Sequence, residues 1–295
     1  MAQYLRKLEL KIGDDGGDGL DFSNLRVQFN VTKKDSSTPN AATIMVYNVA
    51  QSTVARVQKE FNSVYLAAGY GENCAAIFHG TITHVTYYRE NGTDGVLKIA
   101  AGDGDVAHNF AVVNKTLAAG ATQKDVLNIA AAEYEKKGIN AGFSTEIVTP
   151  ALPRGKVMYG MAADFLEKGA KNAGANFSVQ DGKMQFVKDN GALPDEAFVL
   201  NSGSGLIGTP AQTTDGVQVT CLLNPRLKIG GIVQIAQKDI LETDDADAQA
   251  LAADGYYRIF ALDFNGDTHG GEWYCDFTAV HLDFTSKETT DNATA

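Results

Sequence analysis

The chain has 295 residues, 44% of them apolar and 21% charged, with a formal net charge of −11. That composition is ordinary for a globular protein, and thirty glycines against six prolines point to many turns rather than to disorder. The acidic balance argues against a protein that grips nucleic acid, because phosphate binding needs clustered Lys and Arg, and the sequence offers only pairs such as Lys33-Lys34.

From the start of the chain, Leu8, Leu10 and Ile12 alternate with Lys7, Glu9 and Lys11, and Leu25, Val27, Phe29 and Val31 alternate with Arg26, Gln28, Asn30 and Thr32. Period two with one polar face predicts half-buried antiparallel strands. Between them GDDGGDG at 13–19 predicts a loop. Further strands are expected at 43–49, 63–70, 76–88 and 95–101, with a short helix at 52–61 that Ser52 caps and that buries Val54, Val57 and Phe61. Short strands at this spacing define a β module over 1–103.

The pattern then changes. ATQKDVLNIAAAEYEKKG at 121–138 predicts a helix with Thr122 and Asp125 as a capping box and Gly138 at its C′ position. GMAADFLEKGAKNAG at 160–174 predicts a second helix of similar design, with Asp164-Phe165-Leu166 matching Asp125-Val126-Leu127. Each ends in glycine before a strand, and Asp181-Gly182 predicts a two-residue hairpin turn. These elements form a middle α/β module over 104–195. Strands at 197–201, 216–223, 231–236, 255–264 and 272–282 define a second β module over 196–285, followed by a polar tail at 286–295. In it Val217, Val219, Cys221 and Leu223 share a strand face, Pro225 ends the strand because it lacks a ladder donor, and Gly230-Gly231 turns the chain into the next strand. The fold class expected is α+β, mainly β.

No catalytic, cofactor-binding or metal-ligating residue is expected from the sequence. GSGLIG at 203–208 fits the dinucleotide pattern in letters, but Pro210 follows and no helix pattern does, so a glycine loop between strands is expected. The acidic run Asp244, Asp245 and Asp247 lacks the glycine and glutamate spacing of a calcium loop, and it and GDDGGDG are expected to be solvated. His79 and His84 are five apart, an odd separation that puts them on opposite strand faces unless a bulge intervenes. Glu133 and Glu135 are expected on a solvated helix surface, and Trp273 in a core or interface. Cys74, Cys221 and Cys275 form no CxxC pair and are expected to be small buried hydrophobes, compatible with a reducing cytoplasm. No apolar run approaches the roughly 20 residues that cross a bilayer, and MAQYLRKLELKI has no signal-peptide core, so neither membrane insertion nor secretion is expected.

Several stretches carry a resemblance: NAATIMVYNV at 40–49, LAAGY at 66–70, IFHGTI at 77–82, ATQKDVLNIA at 121–130, LPRG at 152–155, GLIGTPAQTTDGVQVTCLLNPRLKIGG at 205–231 and EWYCDFTAVH at 272–281. With the order β module, α/β module, β module, the chain resembles phage tail baseplate hub proteins and the related spikes of type VI secretion. The resemblance implies two tail-tube-like antiparallel β-barrel or sandwich modules, and a homotrimer whose six modules convert a six-fold tail tube to a three-fold tip around a DNA channel. It further implies partners in the tail tube protein, a spike or tip protein, other baseplate proteins and the tape measure protein, with the middle module at the periphery or against neighbouring baseplate proteins. It implies no cofactor, no enzymatic activity and a place in the virion after assembly in the host cytoplasm. Two other classes remain open on the residues: a tail-associated cell-wall hydrolase, although no stretch reads as a lysozyme- or peptidase-like domain, and a host-glycan-binding protein using aromatics such as Tyr87 and Tyr88.

Overall fold

A computed structural model describes residues 5–14, 19–146, 151–214, 216–235 and 255–282. The chain is mainly β, as expected. Its first segment supplies β1 (Arg6–Gly13), β2 (Gly19–Asp21), β3 (Val27–Lys34), β4 (Asn40–Tyr47), α1 (Gln51–Glu60), β5 (Ser63–Tyr70), β6 (Asn73–Glu90) and β7 (Asp94–Asp103). The alternation works as read: Leu8, Leu10, Ile12, Val27, Phe29 and Val31 are buried. Helix α1 departs in one detail. It starts at Gln51 from an Ala50 N-cap without a side-chain cap, so Ser52 lies inside the helix and caps nothing. Its stability comes instead from burying Val54 and Val57, with Phe61 just beyond its end.

The middle segment contains α2 (Asp105–Phe110), β8 (Val112–Leu117), α3 (Gln123–Glu135), β9 (Asn140–Ser144), β10 (Lys156–Met161), α4 (Ala162–Asn172), β11 (Ala175–Gln180) and β12 (Lys183–Lys188). It has three helices where the sequence reading expected two. The extra one, α2, begins at a left-handed Gly104 with no side-chain cap and so carries no local start signal. In α3 the capping box is complete: the Asp125 N–H donates to the Thr122 hydroxyl at 3.3 Å and the Thr122 N–H donates to the Asp125 carboxylate at 2.7 Å. The helix closes as a Schellman turn, with Ile139 N–H donating to the Tyr134 carbonyl and Gly138 N–H to that of Glu135, around a left-handed Gly138. Thr122→Ala removes the acceptor and is expected to cost about 1 kcal/mol in chemical denaturation; an unchanged midpoint would mean the box adds nothing. Asp181 and Gly182, both left-handed, form the predicted turn between β11 and β12. Strand β12 also pairs in parallel with β9, and β8 with β10 forms a separate two-stranded ribbon. Helices α3 and α4 pack over these strands around Val126, Ala130, Tyr134, Leu166 and Phe177.

The last segment adds β13 (Phe198–Leu200), β14 (Leu206–Thr213), β15 (Gly216–Leu222), β16 (Ile232–Ile235), β17 (Tyr256–Asp267) and β18 (Trp273–His281). The expectation of closed barrels needs correction. Among the described residues no barrel closes, and the strands of both β segments join one 13-stranded sheet in the order β14-β15-β18-β17-β3-β4-β7-β6-β5-β1-β2, with β16 on β17 and β13 on β16. The junction is β17 against β3, from Ala261↔Lys34 to Asp267↔Gln28. A bulge between Ile259 and Ala261 lets the first part of β17 pair with β16 and the rest with β3. The physical reason is edge satisfaction: two separate sheets would leave β3 and β17 with unpaired backbone groups.

One core crosses the junction, running from Leu8, Ile44 and Leu97 to Leu223, Phe264 and Phe277. Trp273 sits in it, 2% exposed. Its indole N–H donates to the Gly69 carbonyl at 3.3 Å, and its ring meets Phe29 edge-on at 5.4 Å. Gly266 makes room for this contact, since a methyl there would collide with the Phe29 ring. Val217, Val219, Cys221 and Leu223 face inward as read, and Gly230 turns with φ +81° while its N–H donates to the Ile259 carbonyl.

Candidate functional surface

The outer face of the sheet is polar and stapled across strands. The Thr32 hydroxyl donates to Asp263 at 2.6 Å, and the Asn30 amide donates to Asn265 at 2.7 Å. Asn265 donates to Asp276 at 3.1 Å, and Thr220 donates to Asp276 at 2.6 Å. This row crosses β3, β17, β18 and β15, and so ties the first β segment to the last through side chains as well as backbone. A surface depression of about 590 Å³ lies on the same face, lined by Ile207, Gln218, Thr220, Asp263, Asp276 and Thr278 among others. Asp263 and Asp276 are cross-strand neighbours. Hydroxyl and amide donors occupy both carboxylates, which fits a structural staple. Towards one end of β17, Asp267 accepts from Arg26 at 2.8 Å, Gln28 at 2.7 Å and the His269 N–H at 2.8 Å. Burial alone would raise its pKa, but these donors hold it well below the usual carboxylate range.

A second polar cluster joins the middle segment to the sheet where β3 and β7 end. Lys33, 5% exposed, pairs with Asp181 at 2.6 Å. Asn40 donates to the Val179 carbonyl and the Gln180 side chain, and Gln180 returns a bond to the Lys34 carbonyl. Asp35 is buried against Arg258 at 3.4 Å, and Arg258 also donates to the carbonyls of Lys188 and Gly191. Asp103 accepts from the Gly182 N–H at 3.0 Å. Burial, reinforced by the nearby Asp181, pushes the Asp103 carboxyl up to about 6. Burial also raises Asp35, against the pull of Arg258.

These shifts fix a pH dependence. A carboxyl whose folded pKa exceeds its unfolded value, about 3.9, keeps its proton longer in the folded state. Its contribution to stability is complete below about pH 4 and is lost as pH rises through about 6. Asp103→Asn keeps the acceptor for Gly182 and removes the charge, so it is expected to stabilise the protein at pH 8 by on the order of 2 kcal/mol and to change little at pH 4. Parallel melting curves of parent and variant across that range would contradict the assignment.

Other features named from sequence land as follows. GSGLIG leads into β14, not a helix; β14 is a sheet edge, where Pro210 is tolerated beside a bulge. For His79 and His84 the proviso applies: the bulge between Ile82 and His84 restores the parity. Both side chains are exposed, and among the described residues no three His, Cys, Asp or Glu are placed to hold a metal. Cys221 and Cys275 are buried and face each other across β15 and β18, whereas Cys74 is only half-buried, because it lies near the start of β6 beside the Tyr70–Asn73 turn. Glu135 is exposed, and Glu133 is half-buried and paired with Lys136. The acidic run at 244–247 and most of GDDGGDG lie outside the described residues. Among the described residues no helix is long and apolar enough to cross a membrane. The charged joint was not foreseen; its only sequence signal was the Lys33-Lys34 pair, whose two side chains prove to point to opposite faces.

Comparison with known structures gives the class of protein. The fold is similar to that of the 43 kDa tail protein of prophage MuSo2 from Shewanella oneidensis, with a TM-score of 0.62 and 10% identity over 94% of this chain and 97% of that one. It is similar to a tail protein from Neisseria meningitidis MC58, with a TM-score of 0.60 and 11% identity over 94% and 96% of the two chains. It is also similar to the E. coli c3393 protein, a type VI secretion component described as resembling the T4 tail proteins gp27 and gp5, with a TM-score of 0.60 and 13% identity over 93% and 77%. The fold is thus a tail-protein fold. Residues 8–274 match the family described as baseplate hub gp41, and the chain belongs to that family, a structural component of the phage tail. No curated protein matches the chain in sequence.

Proposed function

We propose that three copies of this chain form the hub ring that joins a six-fold tail tube to a three-fold tip or spike, with DNA leaving through the channel they surround. The observation that carries this reading is the single sheet: two β segments of one chain lie side by side through β3 and β17 over one core. Three copies would therefore present six similar β units to a six-fold tube. The two segments are the tube-like modules of the proposal, over 1–103 and 196–285, and the middle module over 104–195 lies outside the channel. The polar sheet face suits the lumen. Near the β3–β17 junction its side chains are mainly Asn, Thr and Gln, and its charges are of both signs, with Lys34, Lys98, Lys7 and Lys11 interspersed with Asp263, Asp276, Asp267 and Glu9. Such a face gives DNA no cation cluster to hold.

The partners proposed are the tail tube protein, the spike or tip protein, neighbouring baseplate proteins and the tape measure protein, with assembly in the host cytoplasm before incorporation into the virion. The role is structural and non-enzymatic. Light scattering on the purified chain tests it: the expected mass is three times that of one chain, with six lobes around a hole in negative stain. A single-copy particle that clears a peptidoglycan suspension would replace this reading with the hydrolase.

A further inference from the structure

Three Asn-Gly steps occur in the chain: Asn91-Gly92, Asn190-Gly191 and Asn265-Gly266. Such a step carries a reaction of its own. The backbone nitrogen of the glycine attacks the side-chain amide of the asparagine before it, because no Cβ shields the approach. The fold sets how far each of the three can go. Asn265 is blocked: it lies within β17, its amide donates to Asp276 at 3.1 Å, and its side-chain carbonyl accepts from Asn30 at 2.7 Å. Gly266 is buried beneath it, against the rings of Phe29 and Trp273. Asn190 is exposed, but the Gly191 N–H donates to the Lys188 carbonyl at 2.8 Å and the Gly191 carbonyl accepts from Arg258 at 3.3 Å. The nitrogen that would attack is thereby held in a bond, and its residue is fixed on both sides.

Asn91 has none of these restraints. It sits with Gly92 at the tip of the β6–β7 hairpin, both exposed and both left-handed, with φ +50° and +77°. Among the described residues the Asn91 side chain makes no hydrogen bond and the Gly92 N–H has no acceptor. No atom lies within 4 Å of the place a Cβ would take on Gly92. One backbone bond, from the Thr93 N–H to the Glu90 carbonyl at 3.2 Å, closes the tip. Ring closure requires Asn91 to leave the left-handed conformation, and a tip held by one bond opens locally while the strands behind it stay paired.

We propose that Asn91 is a self-modification site, converting through a cyclic imide to aspartate and isoaspartate in the folded protein while Asn190 and Asn265 are held back. The Gly92 nitrogen gives its proton to solvent and bonds to the side-chain carbonyl carbon of Asn91. The side-chain nitrogen takes up a proton and leaves as ammonia. Water then opens the imide at either carbonyl. One opening restores the backbone and leaves aspartate; the other runs the backbone through Cβ and leaves isoaspartate. Water is the only co-reactant, and nothing is oxidised or reduced. Either product sets a new carboxylate beside Glu90 and Asp94, which already face each other across the last rung of the hairpin. Like charges so placed loosen a strand pair, and isoaspartate also lengthens the turn by one backbone atom. The bonds at risk are those of Asn48 with Asp94 at 3.3 Å and with the Gly95 N–H at 3.2 Å. A component of an assembled tail is not replaced, so the change accumulates with the age of the particle.

The test follows the purified full chain over weeks at pH 8, folded in buffer and, in parallel, unfolded in guanidinium chloride. Peptides are mapped by mass spectrometry, with electron-transfer fragmentation to separate isoaspartate from aspartate. In the folded protein Asn91 is expected to convert roughly tenfold or more faster than Asn190 and Asn265, with both products present, and Asn91→Gln to lose the conversion at the tip. In guanidinium the three steps should convert at similar rates. An unchanged Asn91, aspartate without isoaspartate, or Asn190 or Asn265 converting as fast as Asn91 in the folded protein overturns the proposal. The same ranking of the three in guanidinium also overturns it, because the difference would then lie in the neighbouring sequence and not in the fold.

Discussion

Leu223→Asp is expected to destabilise the protein by about 4 kcal/mol or more, because it buries a carboxylate where no partner exists. Leu223 is 0% exposed and lies in the core shared by both β segments. The shared core gives the substitution unusual reach: loss of packing under β15 is felt through β18 and β17 to β3, so unfolding of the last segment should carry the first with it. The melting midpoint should fall by roughly 10 °C or more. Gln218→Asp is the matched control, since Gln218 is exposed on the outer face of β15, the strand that Leu223 directly follows, and it should leave the midpoint nearly unchanged. Equal midpoints for the two variants would show that the strand faces the other way.

The second large effect is expected at Arg258. Arg258→Ala removes the cation beside Asp35 and two donors to the carbonyls of Lys188 and Gly191. Both charged side chains are almost wholly buried, 5% and 1% exposed. Breaking such a pair from one side strands the other charge and costs roughly 3–5 kcal/mol at neutral pH. Burial already holds the Asp35 carboxyl above its usual range, and loss of Arg258 raises it further, because Arg258 is what pulls it down. The stranded group then takes up a proton as pH falls, so the cost of the variant should shrink in acid. A deficit equally large at pH 4 and pH 8, measured by chemical denaturation, would mean that the lost backbone contacts dominate over the charge.

What the sequence made legible was local. The alternation of β1 and β3, the capping box of α3 and the Asp181-Gly182 turn each rest on residues within a few positions of one another, and physics ties those patterns to one conformation. What it did not make legible was non-local or lacked a marker. The pairing of β3 with β17 joins residues more than two hundred positions apart, and alternation shows that a strand has a buried face without showing its neighbour. The bulge before His84 leaves no glycine or proline behind, so parity counting alone could not decide whether His79 and His84 share a face. Helix α2 and the ribbon β8–β10 are short, and Val112 and Tyr159 look like core residues in a sequence although they are exposed. The candidate surface follows the same rule. Asn30 and Asp276 fell at polar positions of expected strands and Asn265 just beyond the strand expected at 255–264, but that they form one hydrogen-bonded row depends on the order of strands in the sheet.

The most direct test of the hub reading is cryo-electron microscopy of intact tails that carry this chain. Three copies are expected in a ring on the tail axis, between the last six-fold tube layer and the tip. The sheet face bearing Asn30, Asn265 and Asp276 should line an open channel. A different copy number, a position away from the axis, or a channel lined by another face would contradict it.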